Sequence, residues 1–177
     1  MDYMICIVEQ KGLKRIEKKK PLLSFRGQFL HKISEQGRVS LPSNFKDALR
    51  NRGVSRLVVL KFPNFLRAFP EDEWEKQEKE YEGLVIDDER VNTYLHILFN
   101  SLLDIEVDTQ GRLVLPENWR KELNLNEQIF ILGKGRFFEI WNPQTHELML
   151  RELMPRFSES RNYVVEMLRR KKQDDKD

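Results

Sequence analysis

EQGRVSLPSNFKDAL, Glu35 to Leu49, and TQGRLVLPENWRKEL, Thr109 to Leu123, are nearly the same phrase written twice in one chain. Gln, Gly, Arg, Leu, Pro, Asn and Leu recur at equivalent places, and Val39/Leu113, Phe45/Trp119 and Lys46/Arg120 are conservative pairs. A glycine, an arginine and a proline held at the same offsets twice within 177 residues mark a duplicated structural unit. Such a repeat sets the architecture before any local reading.

Around the first copy, Phe29, His31 and Ile33 alternate as on one face of a strand. Ser34 to Gly37 is a polar turn ending in glycine, after which Val39 and Leu41 resume the alternation. Two strands joined by such a loop read as a hairpin with a left-handed residue before the return strand. Pro42 cannot donate to a ladder and stops the strand. SNFKDALRNR then predicts a short helix with Phe45, Ala48 and Leu49 on one side, closed by Gly53. The second copy repeats this score. Ile105 and Val107 alternate, Asp108 to Gly111 turns, Leu113 and Leu115 return, Pro116 stops, and ENWRKEL forms the helix. Asn124 takes the left-handed end that Gly53 takes in the first half.

The likeness extends further. Arg56–Leu60 answers Gln128–Leu132, and Phe65–Phe69 answers Phe137–Trp141, each pair reading as two strands around a tight turn. Pro70 and Pro143 lead into helical stretches at Glu71–Tyr81 and Gln144–Leu153. Between the halves Asp87–Leu103 is helical in pattern. Val91, Tyr94, Leu95, Leu98 and Leu102 form a stripe suited to burial. Tyr163, Val164, Met167 and Leu168 line one face of a C-terminal helix, and the KKQDDKD tail is expected to be disordered.

Hydrophobic residues are 40% of the chain, but the longest apolar runs are far short of the ~20 residues that span a bilayer. Charged residues are 34%, with a net charge of only +2. The distribution of charge says more than its sum. Lysines and arginines crowd the segment from Lys11 to Lys20 and the tail from Arg161 to Lys172. Between Glu71 and Arg90 the acids greatly outnumber Lys76, Lys79 and Arg90. Such segregation steers a polyanion to one face and repels it from another. Taken singly, each run also reads as solvated surface. Cys6 alone excludes an intrachain disulfide framework and fits a reducing cytoplasm. The start MDYMICIVEQ is not read as a signal peptide.

For catalysis the chain offers little. His31, His96 and His146 are scattered, no metal-ligand spacing occurs, and no nucleophile elbow, phosphate loop or HExxH stands in the sequence. No enzyme, cofactor or metal is expected, and His31 reads as a half-buried strand residue. The turns are more informative. Ser34 and Asp108 each precede the glycine by three positions and hold the turn, while Gly37 and Gly111 supply positive φ. Arg38 and Arg112 are not required by a turn, although the arginine can pair with the acid across the loop for rigidity alone. Two loops each offering a guanidinium can meet phosphate oxygens or the O6/N7 edge of guanine. Lys32, on the opposite face of its strand from His31 and Ile33, is a phosphate-contact candidate. Gln36 and Gln110, beside the glycines, complete the candidate DNA-binding set.

The opening FRG of Phe25–Gly27, the two GR-[VL]-x-LP-x-N-[FW]-[KR] phrases and the D-x-x-G-R of the second half resemble the MraZ family. These are bacterial regulators built from two AbrB-type swapped-hairpin modules, and the resemblance runs from about Leu23 to Leu153. It implies an α+β, mainly β fold: a pseudo-two-fold double-hairpin β-barrel of the SpoVT-AbrB type with flanking helices. The implied organisation is a flexible N-terminal extension over 1–22, a first AbrB-like module over 28–74 and a connecting helix over 84–103. A second module over 104–147 and a C-terminal helix with disordered tail over 154–177 complete it.

The resemblance also implies a cytoplasmic, nucleoid-associated repressor that forms closed homo-oligomeric rings. Its partner would be double-stranded DNA, at promoter repeats upstream of the division and cell-wall gene cluster that includes its own gene. The family's D-x-x-x-R element maps intact onto Asp108 and Arg112. In the first half Ser34 replaces the usual aspartate, so Arg38 has no acid to pair with there. A competing reading is a ring-forming protein-interaction scaffold whose GR turns are structural. An antitoxin with one hairpin and a toxin-binding tail is disfavoured, because the module is doubled.

Overall fold

A computed structural model describes residues 24–84 and 87–174; the basic N-terminal segment and the last three residues lie outside the described residues. The first half runs β1 (Gln28–Lys32), β2 (Arg38–Ser40), α1 (Ser43–Arg52), β3 (Arg56–Lys61), β4 (Phe65–Pro70) and α2 (Glu71–Tyr81). After the linking helix α3 (Glu89–Asn100) the order returns. It comprises β5 (Leu102–Glu106), β6 (Arg112–Val114), α4 (Glu117–Glu122), β7 (Gln128–Gly133), β8 (Phe138–Trp141) and α5 (Pro143–Leu153). A 3₁₀ turn at Met154–Arg156 leads into α6 (Phe157–Asp174).

Local sequence explains each boundary. Pro42 and Pro116 sit at the N-caps of α1 and α4 with φ of −54° and −55°, the value their rings impose. Both helices end on a left-handed residue, Gly53 at φ 71° and Asn124 at φ 53°. The following amides, Val54 N and Leu125 N, donate back to Leu49 O and Arg120 O and satisfy carbonyls that the helix end leaves open. Asn142 caps α5, its Oδ1 accepting from the amides of Gln144 and Thr145.

The strands do not stay with their own halves. The larger sheet has the order β1-β7-β8-β4-β3-β5, so β1 pairs with β7 of the second half and β5 pairs with β3 of the first. β2 pairs with β6 in a separate two-stranded ribbon. The registers obey a pseudo-two-fold axis. Gln28↔Leu132 is matched by Leu102↔Leu60, and Lys32↔Gln128 by Glu106↔Arg56. The axis passes through Val39↔Leu113 in the ribbon and through Arg67↔Glu139 between β4 and β8.

This arrangement corrects the expected closed barrel. The architecture is α+β with mainly antiparallel sheet, but the six-stranded sheet is open, with β1 and β5 as its edges. β2 and β6 are three residues long and pair with each other. The link from the first turn back to its own hairpin is an isolated bridge, Ile33↔Val39, too little to carry the ladder round into closure. Three shorter corrections follow. The helix expected over 84–103 ends at Asn100, because Leu102 and Leu103 pair with Leu60 and Val59. Its apolar stripe is not buried, since no residue of α3 is. The tail expected to be disordered is helical as far as Asp174.

The main core lies between the sheet and the ribbon with α1 and α4. Phe25 and Phe45 meet edge to face at 5.0 Å, and Phe25 and Phe138 at 5.2 Å, with Ile129, Ile131 and Ile140 fully buried beside them. The FRG opening is explained here. Phe25 exchanges two backbone bonds with Gly135, and a Cβ on Gly133 would stand 2.6 Å from the Phe25 backbone. A smaller cluster of Val58, Leu60, Phe69 and Trp74 covers the other face. β3 therefore buries both of its faces, and it reads as the continuous apolar run LVVL.

Glu139 is fully buried on the axis. It accepts from Arg67 at 2.9 Å, from Lys134 at 2.9 Å and from the Trp141 indole at 3.1 Å. The Arg67 guanidinium in turn lies 4.7 Å from the Phe137 ring centre and 4.8 Å from that of Phe62. Removing one partner of a buried pair leaves the other uncompensated, though Arg67 and Lys134 are partly exposed and can rehydrate. Glu139→Ala is therefore expected to destabilise the fold by about 3 kcal/mol, the lower end for a buried pair. Chemical denaturation measures it, and a midpoint unchanged from the parent would remove the axial pair from the account.

Candidate nucleic-acid interface

The two GR turns are built alike and held unequally. In the first, Gly37 N donates to Ser34 O at 2.8 Å, Ser34 N to Arg38 O at 3.1 Å, and Arg38 N to the Ser34 hydroxyl at 3.1 Å. In the second, the same backbone bonds join Gly111 to Asp108 and Asp108 to Arg112, each at 2.8 Å. The Asp108 carboxylate adds three more: from the amides of Gln110 and Arg112 at 2.9 Å, and from Arg112 Nε at 2.8 Å. The bonds from Arg112, backbone first and side chain second, hold the Asp108 carboxyl below the usual aspartate range. Gly37 and Gly111 adopt φ of 79° and 73°, which side-chain-bearing residues rarely enter.

The turns are stitched across the axis. Leu115 N donates to Gly37 O, and Leu41 N to Gly111 O, so the strand leaving one turn is bonded to the glycine of the other. Each turn is also walled by a basic side chain from the opposite half. Arg120 of α4 donates to Glu35 O at 3.0 Å, and its Nε would stand 2.7 Å from a Cβ on Gly37. The stem of Lys46 of α1 would stand 2.5 Å from a Cβ on Gly111, and its ammonium donates to the Ser40 hydroxyl at 2.8 Å. The glycines are thus required twice, by backbone angle and by this close approach. The groove between the first turn and α4 measures about 570 Å³, and that between the second turn and α1 about 210 Å³. The two loops therefore present different surroundings to a ligand.

Arg38 and Arg112 come together on the outer face of the ribbon. Val39 and Leu113 point into the core, while Arg38, Ser40, Arg112 and Val114 are exposed. Arg38 lies opposite Val114, and Arg112 opposite Ser40, which puts the arginines diagonally across the axis. Diagonal neighbours on a two-stranded ribbon are roughly 7–8 Å apart, a spacing one groove of a nucleic acid can span. Arg112 is tethered through Nε to Asp108, whereas the Arg38 guanidinium makes no ion pair or hydrogen bond among the described residues.

Of the other residues singled out by sequence, Gln36 and Gln110 are exposed on the turns beside the arginines. Lys32 is exposed on the face of β1 away from His31, and no contact among the described residues brings it to the ribbon. His31 is half-buried, as expected. Lys46 and Arg120 were not in that candidate set. Their signal was a basic charge kept at the same place in both phrases. Their position became visible only when each helix was found against the other half's turn. Among the described residues, no cluster of three or more His, Cys, Asp or Glu is placed to hold a metal ion.

The unequal support has a pH signature. A carboxylate held below its ordinary pKa contributes stability that is complete above the unfolded value of about 3.9 and is lost as the pH falls through the lower folded value. The stability difference between the parent and Asp108→Asn is therefore expected to be flat at neutral pH and to close below about pH 4. Ser34→Ala, with no titrating group, is expected to show no such convergence. Denaturation midpoints across pH measure both, and an Asp108→Asn difference independent of pH would remove the ionised tether.

Comparison with known proteins agrees with this geometry. The family described as "MraZ protein, putative antitoxin-like" matches the chain twice, over residues 24–92 and 98–165. A protein named transcriptional regulator MraZ from Roseiflexus sp. (strain RS-1) is 35% identical over 71% of this chain and 86% of its own length. The protein of that name from Syntrophobacter fumaroxidans is 32% identical over 68% of this chain and 81% of its own. The one from Desulforamulus reducens is 26% identical over 81% of this chain and 99% of its own. With two matches that fall one on each GR turn and together cover most of the sequence, the chain belongs to the MraZ family.

Proposed function

We propose that this protein is a transcriptional regulator that binds double-stranded DNA through the outer face of the β2–β6 ribbon. The relatives named above are transcriptional regulators, and the observation that carries the reading is the placement of Arg38 and Arg112 across the axis on one exposed face. A major groove about 12 Å wide admits a two-stranded ribbon, and a guanidinium there can take guanine O6 and N7 together or bridge phosphates. Lys46 and Arg120, drawn from the helices on either side, widen the positive surface and suit phosphate contact. Gln36 and Gln110 stand beside the arginines as base-edge candidates, and Lys32 as a more distant phosphate contact.

The finer reading follows the family resemblance. The regulator assembles into a closed ring in the nucleoid and acts as a repressor at repeated sites upstream of the division and cell-wall gene cluster. A ring multiplies weak contacts by effective concentration when the repeats match the spacing of its loops. The competing scaffold reading draws on the Asp108–Arg112 pair, which gives that arginine a structural task. Arg38 weighs against it. An exposed guanidinium with no partner contributes nothing to a purely structural turn.

Arg38→Ala and Arg112→Ala are each expected to weaken binding to repeat-containing promoter DNA by about 1–3 kcal/mol, roughly 5- to 150-fold, with the thermal transition retained. Lys46→Ala is expected to weaken binding on all sequences alike and to flatten the salt dependence. Fluorescence anisotropy at two salt concentrations measures all three. Parent-like affinity in both arginine variants would sink the ribbon as the reader.

A further inference from the structure

Two apolar surfaces remain uncovered at opposite regions of the fold. The first is the face of α3. Tyr94 is 50% exposed and Ile97 62%, and with Leu60, Phe62, Pro63 and Leu98 they line a groove of about 600 Å³ against the β3–β4 turn. The second is α6. Its 18 residues carry Tyr163, Val164, Met167 and Leu168 at helical spacing, all more than half exposed. A lone helix of that length is marginal in water, and such a stripe is normally stabilised by packing against a partner.

The charges of these two surfaces are opposite. The Tyr81–Tyr94 hydroxyl contact at 3.2 Å sets the end of α2 beside the groove. The acids Glu78, Glu80 and Glu82 therefore lie near it, and Asp87, Asp88 and Glu89 gather at the N-terminal end of α3. α6 carries Arg169, Arg170 and Lys171 in its last turns. We propose that α6 of one copy seats in the α3 groove of a second copy, antiparallel to α3, with its basic end on the acidic junction of α2 and α3. The groove and the helix are different surfaces, so the contact is heterologous: each copy gives α6 to one neighbour and receives α6 from another. Such contacts close into rings when the rotation allows. This rests on the assembly reading above and assigns its contact.

The test uses full-length chains. Ile97→Glu and Met167→Glu, measured separately by light scattering, are each expected to lower the assembly mass by at least half, with helix content and thermal transition kept. In chains carrying Cys6→Ser, mixing Ile97→Cys with Met167→Cys is expected to give an oxidised two-chain band several-fold stronger than either variant alone. If the parent assembles and neither glutamate variant changes its mass, the groove is not the seat while the assembly reading stands. If Ile97→Cys and Met167→Cys in one chain join within that chain, the occupant is its own helix and the proposal fails. A monomeric parent overturns both readings.

Discussion

β4 crosses β8 with Arg67 opposite Glu139, and these are the same position in the two halves of the chain. In two identical chains related by a true two-fold axis, that pairing would set like against like. Two buried glutamates facing each other would be strongly disfavoured. Duplication within one chain lets the axis carry a cation and an acid instead, and Glu139 gains Lys134 and the Trp141 indole as further partners. The rest of the sheet extends outward from this pair, β3 and β5 on one side, β7 and β1 on the other.

From that centre the exchange of strands follows. β1 completes the second half's sheet and β5 completes the first's, so neither half buries its core without the other. Cohesion between the halves is therefore backbone pairing as well as side-chain packing, and the axis at Val39 and Leu113 is fixed by the same registers. The ribbon is rigid for this reason: its inner residues are anchored in the shared core while its outer residues stay exposed. That combination, a fixed backbone beneath free guanidinium groups, suits recognition of a stiff polyanion at low entropic cost.

The symmetry is imperfect where it matters for a ligand. Asp108 ties down Arg112, while Ser34 supports its turn and leaves Arg38 untethered. The grooves beside the two turns differ in volume by more than twofold. Two loops of one ancestry thus present unequal surfaces, one pre-set by an ion pair and one free to adapt. Uneven half-sites in a DNA target are the natural counterpart of such a reader.

Local sequence by itself determined the parts of this protein. The doubled phrase, the prolines that stop strands, Gly53 and Asn124 at helix ends and the glycines of the turns each act through their own backbone angles within a few residues. Those elements stand close to where periodicity placed them. The arginines were legible for a similar reason: each is a repeated charge that its turn does not need. What only the tertiary structure decided is which strand pairs with which, because alternation says that a strand exists and nothing about its neighbour. The open sheet in place of a barrel, the end of α3 at Asn100 where Leu102 joins β3, and the buried acid at Glu139 all follow from that pairing. So does the approach of Lys46 and Arg120 to the opposite turns, since their distance along the chain is closed by the strand exchange and by no local rule.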